Sequence, residues 1–241
     1  MATEEPGTPD DVLVVRIPLS APDPAARAPR GPDPRAVRTR AAVAAAATRL
    51  FLERGYQGTS VDDIAAAARV SKRSVYNNFG DKQRLFTEIV LGATPTAADF
   101  TARPVAELTG AADLPAALHA LARRHLATVA RPPVLRLRRL IILEAGRFPD
   151  LAAEYFRRAP GRVIDALTEA FTVLHERGEL RAPDPRRAAE HYSYLVLGAT
   201  LDAALFAPDA DLPGPAELDR IADAGVAVFL AAYRPAGRSR D

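Results

Sequence analysis

Thr59-Ser60-Val61-Asp62-Asp63-Ile64-Ala65-Ala66-Ala67-Ala68-Arg69-Val70-Ser71-Lys72-Arg73-Ser74-Val75-Tyr76-Asn77-Asn78-Phe79 contains two helix starts in close succession, and this decides the fold. Ser60 and Asp63 have the spacing of a capping box, and Val61, Ile64, Ala65 and Ala68 then form one apolar stripe. The pattern breaks at Arg69-Val70, and Ser71 caps a second short helix that runs to about Asn78. Two short helices joined by a tight turn, inside a basic three-helix unit, describe a helix-turn-helix. In the second helix Val75 and Phe79 stand at i and i+4 and anchor it. Apart from Val75, every residue from Ser71 to Asn78 is polar or amphipathic. So short a helix cannot be held by its own apolar face, and its other face is left for a polar partner. In a major groove, Arg and Lys reach guanine O6 and N7, while hydroxyls and amides bond bases or phosphates. A helix N-terminus adds N–H groups that favour phosphate.

Upstream, Val43, Ala47, Leu50 and Phe51 sit at i, i+4, i+7 and i+8 of a helix beginning at Arg35 and stopped by Gly55. Downstream, Asp81 caps a further helix with Leu85, Phe86, Ile89 and Val90 facing inward. Charge marks the same region. Residues 35–84 hold eight Arg and two Lys against four acids, a net of +6, whereas residues 1–34 carry −3 and residues 85–241 carry −1. Basic charge confined to one module is the footprint of phosphate neutralisation.

The rest of the composition sets the class. Alanine, the best helix former, occupies 50 of 241 positions, and there is no Trp, which predicts an all-α protein. Arginine outnumbers lysine 30 to 2, a genomic bias rather than a functional signal. The absence of cysteine excludes disulfides, thiolate metal sites and a Cys nucleophile. No apolar run is long enough for a membrane span, and the acidic start followed by the short Val12-Leu13-Val14-Val15 is no signal peptide; a cytoplasmic protein is expected. Eight prolines in residues 1–34 read as a disordered arm. Residues 35–84 are then the helix-turn-helix domain and 85–241 a larger helical domain. Its expected helices are Leu114–Val129, Val134–Phe148, Leu151–Ala159, Arg162–Arg177, Pro185–Phe206 and Pro215–Tyr233. Val134–Phe148 is apolar on most of its circumference and is expected to be central and buried.

The run Leu50-Phe51, Gly55-Tyr56, Thr59 to Ala65, Ala68 to Lys72, Val75-Tyr76, Phe79, Lys82 and Leu85-Phe86 resembles the DNA-binding domain of TetR-family transcriptional repressors, over about residues 38–90. The resemblance implies that Lys72, Arg73 and Tyr76 face base edges. It also implies that Ser71, Ser74, Asn77, Asn78 and Lys82 hold phosphates, with Arg38 and Thr59 clamping from the first two helices. There is one departure. The family's turn usually carries Gly where this chain has Arg69. A side chain in a left-handed position costs on the order of 1 kcal/mol, so either Arg69 adopts that conformation and offsets the cost by reaching a phosphate, or the turn has another shape.

The segment Arg138 to Leu151, with Glu144-Ala145-Gly146-Arg147-Phe148-Pro149, resembles the AefR-like branch of the family. That implies a helical ligand-sensing body and a homodimer built on Pro185–Phe206 and Pro215–Tyr233. Leu195, Ala199, Ala203 and Phe206 give the first of these helices an apolar face, and Ala224, Val228, Ala231 and Ala232 the second. The alternative is that these faces pack within one subunit. Candidate ligand residues are Arg139, Glu144, Phe148, Tyr155, Phe156 and His175, although Glu144 and Arg147 are also spaced for an i,i+3 pair. A mostly apolar small-molecule inducer is expected, with no cofactor.

An enzyme is the main rival class. His119, His125, His175 and His191 are scattered without metal-ligand spacing, and neither a Gly-rich phosphate loop nor a Gly-x-Ser-x-Gly elbow occurs. A helical interaction protein that has lost DNA binding is the other rival, and the intact polar third helix argues against it. The sequence therefore points to a ligand-responsive, operator-binding transcriptional repressor.

Overall fold

The computed structural model describes residues 33–101, 105–207 and 211–235. Every regular element among them is helical: α1 (Pro34–Arg54), α2 (Val61–Ala68), α3 (Lys72–Phe79), α4 (Lys82–Gly92), α5 (Pro95–Phe100), α6 (Leu114–Val129), α7 (Pro132–Glu144), α8 (Pro149–Phe156), α9 (Arg162–Glu176), α10 (Pro185–Phe206) and α11 (Pro215–Tyr233). A short 3-10 turn over Ala106–Gly110 precedes α6, and a π-helical turn over Arg157–Gly161 joins α8 to α9. The all-α expectation holds. Of the Pro-rich arm, Asp33 and Pro34 are the cap and first residue of α1, and the remainder lies outside the described residues.

The helix ends follow local chemistry. Asp33, Ser60, Ser71, Asp81, Asp113 and Asp184 each accept a backbone N–H from the first turn they cap. The Ser60–Asp63 capping box closes in both directions, at 2.9 and 3.0 Å, and the Ser60 hydrogen bonds hold the Asp63 carboxyl below its usual range. Pro149 disfavours the α-conformation at Phe148, so the expected helix does not extend through Phe148; α7 ends at Glu144 and a turn over 145–147 follows. The two prolines at 132 and 133 instead open the helix earlier, in first-turn positions that need no N–H donor.

The chain divides into two compact units. Of the described residues, the first holds those from Asp33 to Pro95 together with Arg136–Tyr155, and the second those of the stretches 96–135 and 156–235. The helix-turn-helix expected over 35–84 lies inside the first, whose core is a ring cluster. Phe51 and Phe86 meet edge-on at 5.3 Å, Tyr56 lies 5.0 Å from Phe86, and Phe148 packs 4.8 Å from Tyr56 and 5.5 Å from Phe86. Val43, Leu50, Ile64, Val75, Phe79, Leu85 and Ile89 are buried in the same unit. α7 is less enclosed than its composition suggests. Leu137, Leu140 and Ile141 are buried, but Ile142 is 56% and Leu143 75% exposed, because a helix that is apolar all round still packs only where neighbours exist.

In the second unit Phe171, Tyr192 and Phe229 are fully buried, with ring centroids 5.3–5.8 Å apart. Each such side chain contributes about 1.5–3 kcal/mol. The Tyr192 hydroxyl donates to the Leu118 carbonyl at 2.7 Å, tying α10 to α6. Asp223 of α11 accepts from His119 and Arg123 of α6. Helices α10 and α11 touch backbone to backbone at Gly225, where a Cβ would stand 2.6 Å from the Leu195 carbonyl oxygen.

Candidate nucleic-acid interface

Ser71 starts α3 by accepting the Ser74 N–H at 3.1 Å, and Val75 and Phe79 pin the helix into the first unit. With that side fixed, the 3.6-residue period puts Lys72, Arg73, Tyr76 and Asn77 together on the opposite side. All four are exposed. Tyr76 leaves 43% of its surface to solvent, which is unusual for a large ring beside a well-formed core. Neither Arg73 nor Asn77 has a hydrogen-bond or ion-pair partner among the described residues. Lys72 donates to Asp62 of α2 at 2.9 Å, and that bond raises its pKa.

Two residues of the expected phosphate grip have other work. Thr59 is fully buried, and its hydroxyl donates to the carbonyls of Leu50 and Gly55 at 3.1 and 2.9 Å. The side chain closes the α1–α2 connection. Lys82, at the start of α4, donates to the carbonyls of Tyr56 and Thr59, both at 2.7 Å, with its ammonium 4.1 Å from the centre of the Tyr56 ring. Partial burial, reinforced by the Arg147 charge, lowers its pKa. It fastens α4 to the α1–α2 loop. Lys82→Ala is therefore expected to lower stability by about 1–3 kcal/mol, the loss of a half-buried, charge-assisted pair of hydrogen bonds. The broader guanidinium of Lys82→Arg should not rescue it, because the site fits a compact ammonium. Thermal melts of both variants check this; an unchanged melt for Lys82→Ala with a shallower salt dependence of DNA binding would return Lys82 to the phosphate grip.

The other expected contacts are placed as follows. Arg38 is exposed on the first turn of α1, its Nε donating to the Pro34 carbonyl at 3.1 Å. Ser74 is half-buried with its hydroxyl 3.1 Å from that of Ser71. Asn78 turns its amide back onto the Ser74 carbonyl at 2.8 Å. The turn question is settled: Arg69 adopts φ 54°, ψ 43°, the left-handed conformation.

One residue that the sequence did not single out organises this surface. Arg40 of α1 is buried, donates to the Asn78 carbonyl at the end of α3 and to the Glu88 carboxylate of α4, and lies 4.2 Å over the Phe79 ring. Its only sequence signal is a charge on a face that otherwise points inward, between Arg35 and Val43.

Residues 43–89 match the model of bacterial regulatory proteins of the tetR family, and residues 116–235 that of the C-terminal domain of AefR-like transcriptional repressors. A TetR-family transcriptional regulator of Mesorhizobium loti is 35% identical, with a TM-score of 0.76 over 84% of this chain and 100% of that one. This chain belongs to the TetR family of transcriptional regulators. The flavonoid-responsive regulator FrrA is 30% identical with a TM-score of 0.62, over 83% of this chain and 99% of its own. The HTH-type transcriptional repressor DhaR of Mycobacterium sp. (strain GP1) is 41% identical over 69 residues, 25% of this chain and 35% of that protein. The match thus spans about a third of that curated relative's length. As a TetR-family member the chain is a DNA-binding transcriptional regulator and not an enzyme. No helix among the described residues is long and apolar enough to cross a membrane.

The six ligand candidates are divided between the two units. Phe148 belongs to the ring cluster of the first unit. Glu144 pairs with Arg147 at 3.6 Å, and Tyr155 is buried in the first unit. Arg139 is half-buried on α7. His175 is exposed at the end of α9, its Nδ1 3.2 Å from the Leu180 carbonyl and 3.3 Å from the Ala182 N–H. Phe156 lines an open groove of about 400 Å³, with Ile164, Arg186, Glu190 and Tyr194. A polar group missed in sequence is Ser193 of α10, which is buried with no hydrogen-bond partner for its hydroxyl among the described residues.

Proposed function

We propose that this regulator represses transcription by binding a pseudo-palindromic operator as a homodimer, and that a small-molecule inducer releases it. The observation that carries the reading is the α3 face of Lys72, Arg73, Tyr76 and Asn77, solvent-exposed opposite the Val75–Phe79 anchor. Lys72, Arg73 and Tyr76 are assigned to base edges. Ser71, Ser74, Asn77 and Asn78 hold phosphates, and Arg38 reaches the backbone from α1. In a two-fold dimer the two copies of α3 enter major grooves about 34–36 Å apart, or a multiple of that.

The dimer reading is supported by the second unit. Leu195, Ala199, Ala203 and Phe206 on α10, and Ala224, Val228, Ala231 and Ala232 on α11, are all exposed within the protomer. Packing among the described residues of one subunit leaves them open to solvent. Responsiveness to a small molecule is supported by the AefR-like C-terminal match, and FrrA is itself described as flavonoid-responsive. The Ser193 hydroxyl is a candidate polar contact for an inducer, since a buried hydroxyl without a partner is uncommon and a ligand atom would satisfy it.

Selection of bound sequences from random DNA at physiological salt tests the proposal. Enrichment of a palindrome with fixed half-site spacing is expected. No enrichment from unfolded and refolded, ligand-free protein would defeat it. On the selected operator, Arg73→Ala should cost about 1–3 kcal/mol of binding and relax the preference at one position of each half-site. Competition binding against single-position operator variants reads both effects.

A further inference from the structure

We infer that Arg69, in the turn between α2 and α3, grips a backbone phosphate of the DNA duplex. The inference rests on the operator-binding reading above and adds a contact from the turn itself. Arg69 has φ 54°, ψ 43° and is the one non-glycine residue with positive φ among the described residues. Left-handed backbone suits glycine, and an arginine there carries a steric penalty. The turn does not require the side chain. The Arg69 N–H reaches the carbonyls of Ala65 and Ala66, and the Val70 N–H reaches Ala65 at 3.0 Å, so backbone hydrogen bonds alone close the end of α2.

The described residues offer the guanidinium nothing in return. The Arg69 side chain is exposed and makes no hydrogen bond or ion pair among them. The two acids of the neighbouring α2 are already engaged, Asp62 by Lys72 at 2.9 Å and Asp63 by Ser60 and, at 4.0 Å, Arg54. The unpaired cation stands two residues before the Ser71 cap, beside the helix end that presents Lys72 and Arg73. A guanidinium binds a phosphate through two parallel N–H donors, and a duplex whose groove receives α3 places its backbone along this end.

Arg69→Gly and Arg69→Lys are measured on the selected operator across a salt series, with a thermal melt of each. Arg69→Gly should melt no lower than wild type, because glycine relieves the left-handed position. The slope of log K against log salt should become shallower by about 0.9, the value for one phosphate contact. Equivalently, its deficit against wild type should shrink about 3.5-fold between 50 and 200 mM salt. Base preference should be unchanged, and Arg69→Lys should keep most of the wild-type slope. An unchanged slope, or a loss confined to particular bases, overturns the inference while leaving operator binding intact. A wild-type protein that selects no operator overturns both.

Discussion

Arg40→Ala is expected to destabilise the first unit by roughly 3–5 kcal/mol, the cost of breaking a buried ion pair by removing one partner, and to abolish operator binding. Three helices meet at this side chain. It starts on α1, donates to the carbonyl of Asn78 in the last turn of α3 and to Glu88 of α4, and covers the Phe79 ring. Alanine leaves a partly buried carboxylate without its cation, a carbonyl without its donor and a void beside Phe79, and all three effects act in the same direction. Helix α3 has only Val75 and Phe79 as apolar anchors, so loosening its last turn acts directly on the exposed face opposite. A melting temperature lower by at least about 6 °C is expected. The pair Arg40→Met with Glu88→Gln, which removes both charges and keeps the volume, should recover much of the stability. A double-mutant cycle on these two residues measures the coupling. A melt for Arg40→Ala within a degree of wild type would show that the pair is decorative.

The parts of the structure that were legible in sequence are those set by local chemistry. The Ser60, Ser71 and Asp81 caps, and the ranges Leu114–Val129, Pro185–Phe206 and Pro215–Tyr233, agree with the structure because a cap, a first-turn proline and a 3.6-residue stripe are all local signals. What was not legible depended on tertiary neighbours. Thr59 and Lys82 occupy positions that suggest phosphate contacts, yet both side chains are turned to backbone carbonyls of the α1–α2 connection, a choice set by a loop more than twenty residues from Lys82. The place of Phe148 in a ring cluster with Tyr56 and Phe86 was equally illegible, because those rings stand about ninety and sixty positions earlier. The conformation of Arg69 was left as two alternatives and fell on the left-handed one, because the end of α2 is closed by its own backbone whichever residue stands there.

Leu195→Glu combined with Val228→Glu should convert the protein to a monomer and weaken operator binding by about a hundredfold or more, the loss expected when two half-site contacts no longer act as one. The two positions are 41% and 55% exposed in the protomer, and Phe206 on the same stripe is 89% exposed. The fold of one protomer should therefore tolerate the charges, since exposed substitutions usually change stability by less than about 0.5 kcal/mol. Between two copies the same carboxylates would be buried against apolar surface without partners, which is strongly unfavourable. The backbone contact at Gly225, where a Cβ would stand 2.6 Å from the Leu195 carbonyl oxygen, fixes α10 against α11 beside these positions. Sedimentation velocity gives the mass, and operator titration the affinity. Ala116→Glu combined with Ala120→Glu, at two exposed positions on α6, supplies a charge-matched control that should stay dimeric. If the double variant sedimented as a dimer with undiminished operator affinity, the subunits would have to meet through another face. The exposed stripe on α10 and α11 would then lack the partner that its composition demands.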